Sequence, residues 1–217
     1  MKLYHFLNAQ NAISDIALKR IKISRIGQLN DPFEFLAADL LDPRNKAALE
    51  NFKNQLDDQY GLICFCANWS NPLMWGHYAD SHKGIALGFE IPDDVLLDVH
   101  YTKNRARIAF DPHTESVDGG EDAVNRLLRT KFIDWQYEQE YRFFIGLESS
   151  QKEGSNYFAD FSEQLVLSDV IIGLKCDLQI EKIKELIGSN YRKVHVQKAG
   201  LHRRLFKIIE DRTARVH

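Results

Sequence analysis

The chain has 217 residues, 44% of them apolar, enough to bury a sizeable core in a single globular domain spanning 1–217. A net charge of -3 excludes any global attraction to nucleic acid or to an anionic membrane, so a polyanionic partner has to be met by a local patch. The start "MKLYHFLNAQ" lacks an apolar core of signal-peptide length and no later run approaches the roughly 20 apolar residues of a membrane span, so a cytoplasmic protein without a membrane partner is expected.

"KLYHFL" alternates as a strand, with Leu3, His5 and Leu7 on one face and Tyr4 and Phe6 on the other. Asn8 can cap the helix that follows, whose apolar Ala9, Ala12, Ile13, Ile16 and Ala17 fall at three- and four-residue steps, with Lys19 and Arg20 in its last turn. "IKIS" is a short strand. Asp31-Pro32 then sets a turn that draws Asn30, Asp31 and Glu34 together, most simply as a turn and cap device. A polar helix covers about 43–59, and "GLICFC" reads as a buried strand.

Cys64, Cys66 and Cys176 are too few and too oddly spaced for a disulfide framework or a zinc site, so reduced, buried thiols and no bound metal are expected. Ser70 or Asn71 can cap the next helix, with Pro72 at or near its first position, and Gly84 ends it. On that helix Trp75, Tyr78, Ala79 and His82 share a face, and Met74 and His77 flank it. Core packing is the plain reading of such a face, although aromatic area beside polar tips also suits a flat heterocycle such as nicotinamide or adenine. "GIALGFEI" is a strand whose Ala86 and Gly88 leave room for a ligand or a close neighbour.

"VHYTKNRARIAF" is a candidate strand with Lys103, Arg105 and Arg107 on one side, most simply a solvated face and alternatively a phosphate or RNA contact. After the helical "EDAVNRLLRTKF", the stretch "WQYEQEYRFFIGL" alternates over its whole length and puts Glu138, Glu140, Arg142 and Phe144 on one face. That is either an exposed strand with a surface ion pair or a cleft wall where Glu140, beside Arg142, holds a sugar hydroxyl or a cationic transition state. The last third reads strand "SDVIIGL", helix "DLQIEKIKELIGS", strand "KVHVQKA" and a final strand around "RRLFKIIE". Strands and helices mixed without a strict repeat argue an α+β fold with a mixed, mainly antiparallel sheet flanked by helices.

The stretches "LYHFLNAQNAISDIALKRIKISRIGQLNDPFEF", "ICFCANWSNPLMWGHYADSHKGIALGFE" and "WQYEQEYRFF" together resemble the bacterial proteins grouped as domain of unknown function 2971. The order of a strand-borne His, a central aromatic motif and a late strand with Glu is also similar to the His-Tyr-Glu arrangement of ADP-ribosyltransferases, including DNA-targeting bacterial toxins. That second resemblance implies an NAD-consuming transferase or glycohydrolase in a stress, toxin or phage-defence setting, with a small-molecule nucleotide as substrate and a nucleic-acid or protein acceptor. It implies that His5 contacts the NAD ribose, that Trp75 or Tyr78 stacks on nicotinamide, and that Glu140 supports the oxocarbenium-like transition state. His77, Asn30 and Arg142 join His5, Trp75 and Tyr78 as candidate contacts to NAD. The alternative is a non-catalytic nucleotide or nucleic-acid binding module.

Overall fold

A computed structural model describes residues 1–35, 43–105, 110–111, 116–117, 120–191 and 193–215. The chain runs β1 (Lys2–Leu7), α1 (Ala9–Leu18), β2 (Arg20–Arg25), α2 (Pro43–Gln59), β3 (Tyr60–Cys66), α3 (Pro72–Tyr78) and β4 (Ile85–Glu90). It continues through β5 (Leu97–Asp98), β6 (His100–Thr102), β7 (Phe110–Asp111), β8 (Ser116–Val117), α4 (Gly120–Arg129), β9 (Thr130–Phe132) and β10 (Glu140–Gly146). Then follow β11 (Gln151–Glu153), β12 (Asn156–Asp160), β13 (Val166–Ile172), α5 (Ile180–Ile187), β14 (His195–Leu201) and β15 (Ile208–Glu210). Among the described residues no helix is long and apolar enough to cross a membrane.

Among the described residues the main sheet has 11 strands in the order β11-β12-β2-β3-β1-β4-β13-β14-β15, with β10 and β5 branching from β3. Every pairing in it is antiparallel except β13 with β14, so the α+β fold with a mainly antiparallel mixed sheet is the observed one. Strand alternation sorts β4 between two cores: Ile85, Leu87 and Phe89 pack with α1 and α5, and Ala86 packs with Trp75 and Met74 of α3. Gly88 lies where β4 is approached closely, since a Cβ there would meet the Asp169 Cβ at 2.8 Å.

One edge of β3 is paired along its length by β10, from Tyr60 with Gly146 to Cys66 with Glu140. The other edge is shared: β2 takes the first end through Leu62 and Gly61, and β1 takes the far end at Cys66. Between them the two strands diverge, and the carbonyl of Cys64 in this gap is met by His5 Nδ1 at 2.9 Å in place of a backbone donor.

Several sequence expectations need correcting. The first helix ends at Leu18, because Lys19 adopts the left-handed conformation (φ 51°) and Arg20 already belongs to β2. The third helix stops at Tyr78, since Asp80, Ser81 and His82 all have positive φ, so His82 does not share a helical face with Trp75 and Tyr78. The alternation of "WQYEQEYRFF" is broken at Gln139 (φ 46°): residues Ile133–Glu138 form a 3-10 helix, and only Glu140 onward is strand. Among the described residues of "VHYTKNRARIAF" only His100–Thr102 and Phe110 are strand, while residues 106–109, Arg107 among them, lie outside the described residues. Of "RRLFKIIE" only Ile208–Glu210 pairs, while 203–207 make a turn.

Asp15, on the buried side of α1, is 6% exposed. Burial pushes its carboxyl up to about 7, against a partial pull downward from Arg20. Because this group binds its proton more tightly folded than unfolded, its ionisation opposes folding as pH rises from about 4 to about 7. We expect urea titrations to show stability falling through that window with a slope of at most about 1.4 kcal/mol per pH unit, and Asp15→Asn to abolish that slope. Parallel curves for the two proteins would refute it.

Candidate functional site

The gap between β1 and β2 opens into a cavity of about 240 Å³. Tyr4, His5 and Phe6 all lie on its wall, so the cavity passes between the two faces of the sheet, since successive strand residues point to opposite sides. Asn30, Glu34, Cys64, Tyr78, Glu138 and Glu140 also line it.

His5 donates from Nδ1 to the Cys64 carbonyl, which fixes the neutral tautomer with its Nε2 lone pair available. Burial lowers its pKa and the carbonyl contact opposes this only in part, so the ring is neutral at physiological pH.

The floor is a buried ionic cluster of Glu34, Lys131, Glu138, Glu140 and Arg142, none more than 6% exposed. Arg142 donates from Nε to Glu140 Oε1 (2.9 Å), from NH2 to both Glu34 oxygens (2.9 and 2.7 Å) and from NH1 to the Leu128 carbonyl (2.8 Å). The Lys131 ammonium bridges Glu138 (2.6 Å), Glu140 (3.0 Å) and Glu34 (3.2 Å). Tyr78 donates its hydroxyl proton to Glu138 and accepts from Asn30 Nδ2 at 2.9 Å. The Glu140 backbone N–H donates to the Tyr101 oxygen at 2.8 Å, which anchors the start of β10.

The two neighbouring carboxylates are driven apart in acidity. Burial alone would raise the Glu140 pKa, but the charges of Arg142 and Lys131 outweigh it and hold the group at about 2. Glu138 is raised, because burial outweighs the pull of Lys131 and the hydrogen bond from Tyr78. The arrangement supplies a fixed anion beside a second carboxyl of higher pKa, together with a neutral imidazole acceptor. Burial raises the thiols at Cys64 and Cys66, the latter to about 12, so neither is a thiolate nucleophile.

Four of the sequence-chosen residues, His5, Asn30, Tyr78 and Glu140, therefore meet on one cavity. Three do not line it. Trp75 is fully buried, edge-on to Phe6 at 5.2 Å with its Nε1 donating to the Trp69 carbonyl, so the expected stacking on nicotinamide is not open to it. His77 is exposed on the far side of α3 beside Tyr137. Arg142 lies beneath the carboxylates and is 0% exposed, so it positions Glu140 and is no surface partner. Sequence reasoning missed Lys131 and the ionic role of Glu34. The available signal was Arg142 on a strand between apolar neighbours, which demands buried counter-charges without naming them.

A second cavity of about 380 Å³ adjoins through Lys131 and is lined by Phe33, Phe132, Lys103 and Arg105. Phe33 and Phe132 are 54% and 44% exposed, and the Arg105 guanidinium lies 5.1 Å from the Phe33 ring centre. Among the described residues no group of three or more His, Cys, Asp or Glu side chains could hold a metal ion.

No curated protein and no solved structure matches the chain. Residues 74–143, from Met74 of α3 through the ionic cluster to Phe143 of β10, match the family described as "Protein of unknown function (DUF2971)", the same family that the sequence motifs resemble.

Proposed function

We propose that the protein consumes NAD, as an ADP-ribosyltransferase or an NAD glycohydrolase. The observation that supports this reading is the meeting of His5, Tyr78 and Glu140, from β1, α3 and β10, on one cavity. The cavity of about 240 Å³ suits the nicotinamide riboside half, with Tyr4 and Tyr78 as aromatic walls and His5 Nε2 accepting from a ribose hydroxyl. Lys103 and Arg105 beside Phe33 and Phe132 give the adenosine diphosphate half a cationic, aromatic seat.

In this mechanism the bond from ribose C1′ to the pyridinium nitrogen breaks, and its electron pair leaves with neutral nicotinamide. The fixed Glu140 anion stabilises the positive charge left on the sugar. Water or an acceptor group then attacks C1′ and passes its proton to Glu138, whose raised pKa suits a base. The nature of the acceptor, nucleic acid or protein, and a stress, toxin or phage-defence setting belong to the same proposal.

One observation favours a binding module without turnover instead: both Glu140 oxygens are already held by cations. Nicotinamide release from NAD by the purified protein, compared with Glu140→Gln, separates the two readings.

A further inference from the structure

The turn between β14 and β15 carries Leu201, Leu205 and Phe206 at 63%, 62% and 102% exposure, all turned to solvent. Arg203, Arg204 and Lys207 lie among them and are exposed as well. Soluble surfaces scatter single apolar side chains, but three large ones gathered on one turn with three cations mark a place of contact.

The tip is rigidly built. Leu201 pairs with Ile208 at its base, and the Ile208 N–H donates to the Ser70 carbonyl at 2.8 Å. Inside the turn, His202 N–H donates to the Lys207 carbonyl at 3.0 Å. The His202 Nδ1 accepts from the backbone N–H groups of Arg204 (3.1 Å) and Leu205 (3.0 Å). The imidazole so turns the chain that residues 203–206 face outward, and little conformational entropy remains to be lost on docking.

We propose that this tip docks the protein on an anionic membrane surface, with Leu205 and Phe206 entering the headgroup boundary and Arg203, Arg204 and Lys207 pairing with lipid phosphates. This is independent of the NAD reading. Charge complementarity selects the occupant. A two-fold contact with a second copy would set Arg203, Arg204 and Lys207 against their own copies. A single-stranded nucleic acid would use the cations and stack on Phe206, but would leave Leu201 and Leu205 in water. A lipid boundary uses both kinds of side chain at once. The overall charge of -3 does not oppose such a contact, since a polyanionic partner is met by a local patch.

The test is co-sedimentation of the full chain with vesicles of phosphatidylcholine alone and of phosphatidylcholine mixed with phosphatidylglycerol. We expect binding to the mixed vesicles only, weakening with added salt. Leu205→Ser with Phe206→Ser should lose at least about tenfold in partitioning, and Arg203→Glu with Arg204→Glu should lose it altogether. All four positions are exposed, so unchanged thermal midpoints will show that the fold is intact. Absence of binding to mixed vesicles, equal binding to both kinds, or binding indifferent to either double variant overturns the proposal. So does retention of a labelled single-stranded oligonucleotide through Phe206 with vesicles ignored.

Discussion

Arg142→Met is expected to lower the free energy of unfolding by about 3–5 kcal/mol at neutral pH, the scale for breaking a buried ion pair from one side. Methionine fills much of the volume beneath Phe35, where the guanidinium lies 5.3 Å from the ring centre, so the loss is mainly electrostatic. Glu34 and Glu140 would be left with Lys131 as their shared cation. The pH dependence identifies the cause. The folded Glu140 titrates at about 2, below its ordinary 4.5, so its contribution is present above about 4.5 and is lost as pH falls towards 2. Without Arg142 that contribution shrinks, and the difference between variant and wild type should narrow in acid. Urea titrations at neutral and acidic pH measure it; a deficit under about 1 kcal/mol at neutral pH would mean that the cluster does not hold the fold together.

Glu140→Gln is expected to cut nicotinamide release by about 10²–10³-fold, the effect of removing one preorganised charge from a transition state. The fold should survive better than in Arg142→Met. Glu138 stays paired with Lys131 at 2.6 Å and continues to balance its charge. Comparing the two variants thus separates chemistry from stability: the first costs stability, the second turnover. Phe132→Ser should raise KM for NAD with kcat little changed if the second cavity seats the adenosine diphosphate half. Wild-type release untouched by Glu140→Gln would sink the NAD reading, and NAD-induced thermal stabilisation without any release would select the binding module.

The strands that carry one clean face were legible. β1, β3, β4, β13 and β14 announce themselves by alternation or by a short apolar run, and Asn8 and Asn71-Pro72 mark helix starts with a side-chain acceptor and a pre-set φ. Stops were harder, because positive φ at Asp80, Ser81 and Gln139 is set by tertiary packing and leaves no period in the sequence. The hairpin of β11 and β12 was missed although "EGSN" is a turn signal, since three-residue Gln151–Glu153 is too short to show alternation.

The site was half legible for a related reason. His5, Tyr78 and Glu140 stand out by chemical type, but Glu34 and Arg142 are 108 residues apart, and nothing local tells a surface Glu-x-Arg pair from a buried one. Trp75 shows the opposite error: a helical face says which residues travel together, not whether they face a cavity or a core.

The parting of β1 from β2 along β3 also has a mechanical meaning. Among the described residues the ribbon of β2, β12 and β11 joins the rest of the sheet by strand pairing only where Ser24 and Arg25 pair with Leu62 and Gly61. Two residue pairs are a narrow junction, yet Ile21 of β2 is fully buried with Leu3, Phe65 and Phe89, and Phe161 just after β12 packs edge-on to Phe89 at 5.1 Å, so side-chain packing ties the ribbon to the core. Ser24 and Gln28 line that side of the cavity, and His5 and Glu140 line the other. The interruption in the sheet that makes room for a ligand is spanned by that packing, which holds the strands in place where the ladder is broken.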